Sequence, residues 1–153
     1  MSFEAIRCTA TVKTPPTRAF VLFTEHTKDW WKKETPFVTE PNRNFFIAKT
    51  AEGRWIERGE DGGEMTWGKV LAYEPPGRLL LGMQLSAQFS FDPSAQTEVE
   101  ITFAPTPGGG SIITLEHRDL ERFGKGAEPM IAAMRAGWAH HVEEFAQFAD
   151  NSN

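Results

Sequence analysis

"TEVEITFAPTPGGGSIITLEHRD", residues 97–119, decides the fold. Val99, Ile101 and Phe103 alternate with Glu98, Glu100 and Thr102. After "PGGG" (107–110), Ile113, Leu115 and His117 alternate with Thr114, Glu116 and Arg118. A period of two on both sides of a glycine-rich turn predicts an antiparallel pair of strands. The division of residue types predicts a sheet with one face wet and the other covered.

The cover is the segment that follows. Roughly from Pro129 to Asp150 the period changes to that of a helix. Advancing about 100° per residue from Met130 places Met134, Trp138, His141, Phe145 and Phe148 in one stripe. Gly137 falls at the edge of that stripe, where it would permit close approach. His140, Glu143 and Gln147 fall elsewhere.

Upstream of the pair, turn residues separate further strands: "NFFIAKT", "EGRWIERG", "EMTWGKVLAYE" and "RLLLGMQLS", with breaks at "EDGG" (60–63), "PPG" (75–77) and "DPS" (92–94). Short turns between successive strands predict an antiparallel meander. The chain opens with another alternating stretch, Phe3 to Lys13, with Ile6, Cys8, Ala10 and Val12 on one side. In "KTPPTRAFVLF", Thr14 is expected to cap a helix with Pro15 in its first turn. Its apolar face is Ala19, Phe20 and Phe23. "EHTKDWWKKE" is expected to form a second short helix. The predicted class is therefore α+β, a curved antiparallel sheet and a long C-terminal helix, in a single domain spanning residues 1–153.

The net charge of −5 gives no electrostatic footprint for nucleic acid or an anionic membrane. With one cysteine, Cys8, no intrachain disulfide and no cysteine-rich zinc site is available. The N-terminus lacks the apolar core of a signal peptide, and no apolar run approaches the roughly 20 residues that span a bilayer. The expectation is a cytoplasmic protein with no membrane insertion, and with edge strands compatible with a monomer or a homodimer. Twelve Phe and five Trp against one Tyr supply large apolar surfaces for a core or a greasy pocket.

This order resembles the helix-grip fold of the START-like (Bet v 1-like) superfamily. "GRWIERGEDGGEMTWGKVLAYEPPGRLLL" (53–81), "EVEITF", "LEHRDLERFG" and "FTEHTKDWW" are similar to the Activator of Hsp90 ATPase homologue 1-like branch. The resemblance implies a sheet gripping the long helix with an apolar cavity between them. Superfamily members bind or transfer lipids, hormones and polyketides, and some are cyclases or hydrolases. The eukaryotic co-chaperone that names the branch carries a further N-terminal domain, which a chain beginning at its first strand is not expected to have. The two histidines after Gly137–Trp138 depart from the branch, where small residues are expected.

The histidines are the candidates for chemistry. His140 and His141 diverge on the wheel, and two ligands fall short of the three or four that zinc takes. His140 reads as a surface residue. His141, between Trp138 and Phe145, reads either as a core histidine or as the polar group that the helix offers a ligand, buried without an opposite charge. His117 shares the inward parity of Ile113 and Leu115. It is either a general acid–base group or a tie from the strand end to the "DLERFG" turn. The charged run "ERGEDGGE" (57–64) reads as a solvated loop tip, and "DWWKKE" as either a gate or a core anchor. No nucleophile elbow, dinucleotide fingerprint or metal motif is present, so no cofactor is expected.

The leading expectation is a protein that binds an apolar or aromatic small molecule in a cavity of about 300 Å³ or more. Its expected lining is Trp30, Trp55, Trp67, Met83, Leu85, Val99, Ile101, Phe103, Met130, Met134, Trp138, His141 and Phe145. A cyclase- or hydrolase-type enzyme using a cavity histidine is the first rival, and a protein-interaction module the second. The cavity discriminates among them: a closed dry core favours the interaction module.

Overall fold

The structure is a computed structural model that describes residues 3–30, 44–59, 63–88 and 90–152. Trp31 and the lysines of "DWWKKE", and Glu60, Asp61 and Gly62 of the "EDGG" turn, lie outside the described residues. The elements in chain order are β1 (Ile6–Val12), α1 (Pro16–Glu25), α2 (Thr27–Trp30), β2 (Asn44–Ile47), β3 (Arg54–Arg58), β4 (Glu64–Glu74), β5 (Arg78–Met83), β6 (Thr97–Pro105), β7 (Ser111–Arg118) and α3 (Ala127–Asn151), with short 3-10 turns at Pro93–Ala95 and Leu120–Phe123.

All seven strands form one antiparallel sheet in the order β1-β7-β6-β5-β4-β3-β2. The meander runs from β2 to β7, and β1 closes onto its far side by pairing with β7. The alternation read from the sequence is the pairing that forms: Val99 lies opposite His117, Ile101 opposite Leu115 and Phe103 opposite Ile113. These six side chains are buried. On the other face, Arg118 bonds Glu98, Glu100 and Glu116 across β6 and β7, while Arg78 bonds Glu100 and Glu74. The bond from Arg78 holds the Glu100 carboxyl below its ordinary range despite partial burial. One face is thus an ion-pair ladder in water and the other the floor of the core.

α3 lies across that floor. Met130, Ile131, Met134, Trp138, His141, Val142, Phe145 and Ala149 are buried along it, and Phe148 is half-buried. Its C-terminal end is tied to the start of the chain. Thr14 Oγ1 donates to the Ala149 carbonyl at 3.0 Å, and the Lys13 amide donates to Asp150 Oδ1 at 2.8 Å. Thr14 is therefore not the cap of α1. Pro15 occupies the cap position, Pro16 is the first helical residue, and the Thr14 hydroxyl serves the long helix instead. Gly137 permits no close approach either, because a Cβ placed there would meet nothing within 4 Å. Gly68 is a glycine that packing requires: a Cβ there would come within 1.8 Å of the Gly82 carbonyl oxygen.

Candidate functional site

Between α3 and the sheet, aromatic rings from both layers pack against one another. Phe23 meets Trp30, Phe103 and Phe145 at centroid distances of 4.9, 5.7 and 5.1 Å. Toward β2–β4, Trp67 meets Phe45 at 5.3 Å and Trp55 at 5.5 Å. Where these two clusters meet, a space of about 10 Å³ remains, lined by Phe23, Thr27, Trp30, Phe45, Ile47, Trp55, Leu81, Ile101 and Trp138. That is about the least space that admits one water. Around this space large rings from both layers interdigitate rather than stand apart.

All thirteen residues expected to line a cavity are buried. Four of them, Trp30, Trp55, Ile101 and Trp138, border the small space. Trp67, Met83, Leu85, Val99, Phe103, Met130, Met134, His141 and Phe145 do not border it and are core. Trp30 is anchored: its Nε1 donates to the Leu22 carbonyl at 3.1 Å, and it is 1% exposed.

His117 is fully enclosed at the end of β7. Trp138 Nε1 donates to its Nδ1 at 3.0 Å, which makes Nδ1 the acceptor and leaves the proton on Nε2. That proton is directed to Thr97 Oγ1 at 2.8 Å. Phe123 closes the ring edge-on at 5.7 Å, so the "DLERFG" turn does meet this histidine. Burial pushes the imidazole down from 6.5 to about 3. A neutral ring with both nitrogens engaged ties β6, β7 and α3 together. A general base needs a nitrogen within reach of substrate, and this geometry offers none.

His140 and His141 part company as the wheel requires: His140 is exposed and His141 buried. Yet both turn to one carboxylate. His141 Nδ1 lies 3.0 Å from Glu144 Oε1, and His140 Nε2 lies 3.5 Å from Oε2. The expectation that His141 lacks an opposite charge is thereby corrected, since one helical turn brings i+3 and i+4 partners alongside. Among the described residues, no group of three or more His, Cys, Asp or Glu is placed to hold a metal ion. A hollow of about 470 Å³ opens beside α2 on the polar side of α3, against Asp29, His140, Glu143 and Gln147, so it is not the apolar cavity expected under the helix. Cys8 is half-buried, and burial raises its thiol above the usual value.

Glu57 was concealed in the run read as a solvated loop. The residue is on β3 and 0% exposed. Trp67 Nε1 donates to its Oε1 at 2.9 Å. Between Trp55 and Ile56 the β3–β4 register shifts, with Trp67 as the extra residue, and this brings Trp55, Glu57 and Trp67 onto one side. Trp55 Nε1 is buried with no hydrogen-bond acceptor. The signal that could have found Glu57 is its spacing of two from Trp55, which period-two reading places on the same face.

Comparison with known proteins follows the same lines. An anthrahydroquino-γ-pyrone synthase, Txn09, solved as a complex, is 27% identical, with 95% of this chain and 97% of that one aligned at a TM-score of 0.67. CalC from Micromonospora echinospora, a self-sacrificing resistance protein, is also 27% identical, over 98% of this chain and 96% of its own, at a TM-score of 0.74. MLL2253 from Mesorhizobium loti shares the fold at 22% identity and a TM-score of 0.69, over 98% and 99% of the two chains. No curated protein matches. The family described as Activator of Hsp90 ATPase homolog 1-like protein matches residues 13–150, from the end of β1 through nearly all of α3. With the sheet, the gripped helix and that match in agreement, the chain belongs to the Activator of Hsp90 ATPase homolog 1-like family of the START-like superfamily.

Proposed function

We propose that the protein binds an aromatic small molecule at the seam between the two ring clusters, beneath Trp138 and α3. The observation that carries this reading is Trp55, whose side chain borders an unfilled space and whose indole N–H is buried without an acceptor. Native interiors pair such groups, and an orphaned one costs about 1–3 kcal/mol. A ligand that supplies an acceptor removes that cost. Txn09, at 27% identity, is a synthase of a fused aromatic, and its likeness favours a ligand of that kind over an aliphatic one. A space of about 10 Å³ does not hold such a molecule, so binding displaces rings of the wall. Native mass spectrometry of protein purified from its own host tests the reading. Retention of a small molecule that departs on denaturation is expected. A bare chain that also fails to bind 2-naphthol and naphthalene contradicts it.

The second reading, a protein-interaction module without a ligand, draws on the close packing of rings around that space. The same experiment separates the two, since that module carries no small molecule. The enzyme reading through His117 has the least support, because both ring nitrogens are already engaged.

A further inference from the structure

We propose that Trp30 is the wall residue that an incoming aromatic ligand displaces, and that its indole swings out into the hollow beside α2. The inference rests on the binding reading above and adds how the site opens and what ring it takes. Among the described residues, Trp30 alone borders both the small space, about 10 Å³, and the hollow of about 470 Å³ on the polar side of α3. It therefore stands between the two. A space that admits about one water takes a fused ring only where a ring of the wall leaves it. The hollow lies within the size range of sites that hold whole small molecules, so it has room for one indole.

The hydrogen bond that holds the Trp30 indole is one that can be exchanged. Its Nε1 donates to the Leu22 carbonyl at 3.1 Å, and the His26 amide donates to the same oxygen at 3.3 Å. Departure of the indole therefore leaves that carbonyl bonded. In the hollow, the Glu143 carboxylate and the Gln147 amide oxygen offer acceptors to the indole N–H. The move thus strands neither donor nor acceptor. Trp138, another ring of the wall, lacks this freedom, because its Nε1 is bonded to the enclosed His117. The Thr27 hydroxyl donates to the Phe45 carbonyl at 2.7 Å and keeps the start of α2 on β2 while Trp30 turns at its end. The ring that leaves uncovers Phe23 and Phe145, which meet it at 4.9 and 5.2 Å. A flat bicyclic ligand of the size of an indole restores both aromatic contacts.

Equilibrium dialysis with 2-naphthol and naphthalene tests the exchange in the wild-type chain, Gln147→Trp, Trp30→Ala and the double variant. Gln147 is exposed on α3 and borders the hollow but not the small space. A large ring at that position fills the hollow without touching the seam. Gln147→Trp is expected to weaken both probes by about tenfold, because the displaced indole loses its place. Trp30→Ala should strengthen both by about tenfold, since no ring has to leave. In the double variant, Gln147→Trp should change affinity by no more than about twofold relative to Trp30→Ala, because the hollow acts only through Trp30. Should Trp30→Ala fail to fold, Trp30→Leu takes its place in the comparison. Unchanged affinity in Gln147→Trp overturns the displacement and leaves the binding reading intact. So does a loss that persists undiminished in the double variant. Failure of the wild type to bind either probe overturns the binding reading itself, and the displacement with it.

Discussion

His117 illustrates how one buried polar residue couples packing to pH. Its folded form stays neutral down to about 3, whereas the unfolded imidazole takes up a proton from about 6.5 downward. Within that window the unfolded chain binds more protons, so stability is full above 6.5 and falls with acid, by about 1.4 kcal/mol per pH unit at most. Glu100, held below its ordinary 4.5 by Arg78, adds a loss in the same direction only at lower pH. His117→Leu removes the ring nitrogens that bond Trp138 Nε1 and Thr97 Oγ1. Urea unfolding at neutral pH should show a loss of about 1–3 kcal/mol, together with a flatter decline between neutral pH and about pH 5 than in the wild type. An unchanged slope would mean that His117 titrates like a free histidine. The inward direction of this residue was legible from its parity with Ile113 and Leu115. Its partners were not, because Thr97 and Trp138 lie 20 and 21 residues away in sequence.

At the scale of elements, the two sides of the sheet differ in how openly the sequence declares them. β6 and β7 alternate strictly, since one face is an ion-pair ladder and the other is core. β3 buries Trp55, Ile56 and Glu57 in succession, so both of its faces are covered and its alternation shows no wet side. A glutamate followed by Arg58 and Gly59 reads as surface, so Glu57 is legible only through its spacing of two from Trp55. The same neighbourhood sets a packing limit. Gly68 on β4 faces the backbone of Gly82 on β5, and a methyl at 1.8 Å from its carbonyl oxygen cannot be absorbed by rotating a side chain. Gly68→Ala is expected to cost roughly 1–3 kcal/mol through displacement of β4 from β5. A thermal melt that matches wild type would show that the strands separate freely at this point.

The whole molecule depends on α3. Removing residues 127–153 takes away Met130, Met134, Trp138, Val142 and Phe145 from the core, and uncovers the floor formed by Val99, Ile101, Phe103, Ile113 and Leu115. Each lost large side chain withdraws about 1.5–3 kcal/mol of burial, so several together exceed a usual total of 5–15 kcal/mol. The truncated chain should aggregate or lose its cooperative calorimetric transition. A soluble chain that melts cooperatively would make α3 an appendage.

The grip of sheet on helix was legible because amphipathic periods name the two covered faces. The size of the space between them was not. It depends on how Phe23, Trp30, Phe45, Trp55 and Trp138 interlock, and no period in a sequence encodes that. The account therefore turns on whether an aromatic molecule enters this seam. Two-dimensional NMR of the five indole N–H groups during titration with 2-naphthol answers that question. The Trp55 and Trp138 signals should shift saturably, with Trp55 moving as its N–H gains an acceptor. Five signals that hold their positions to the solubility limit of the probe would contradict it and leave a closed core that binds no ligand.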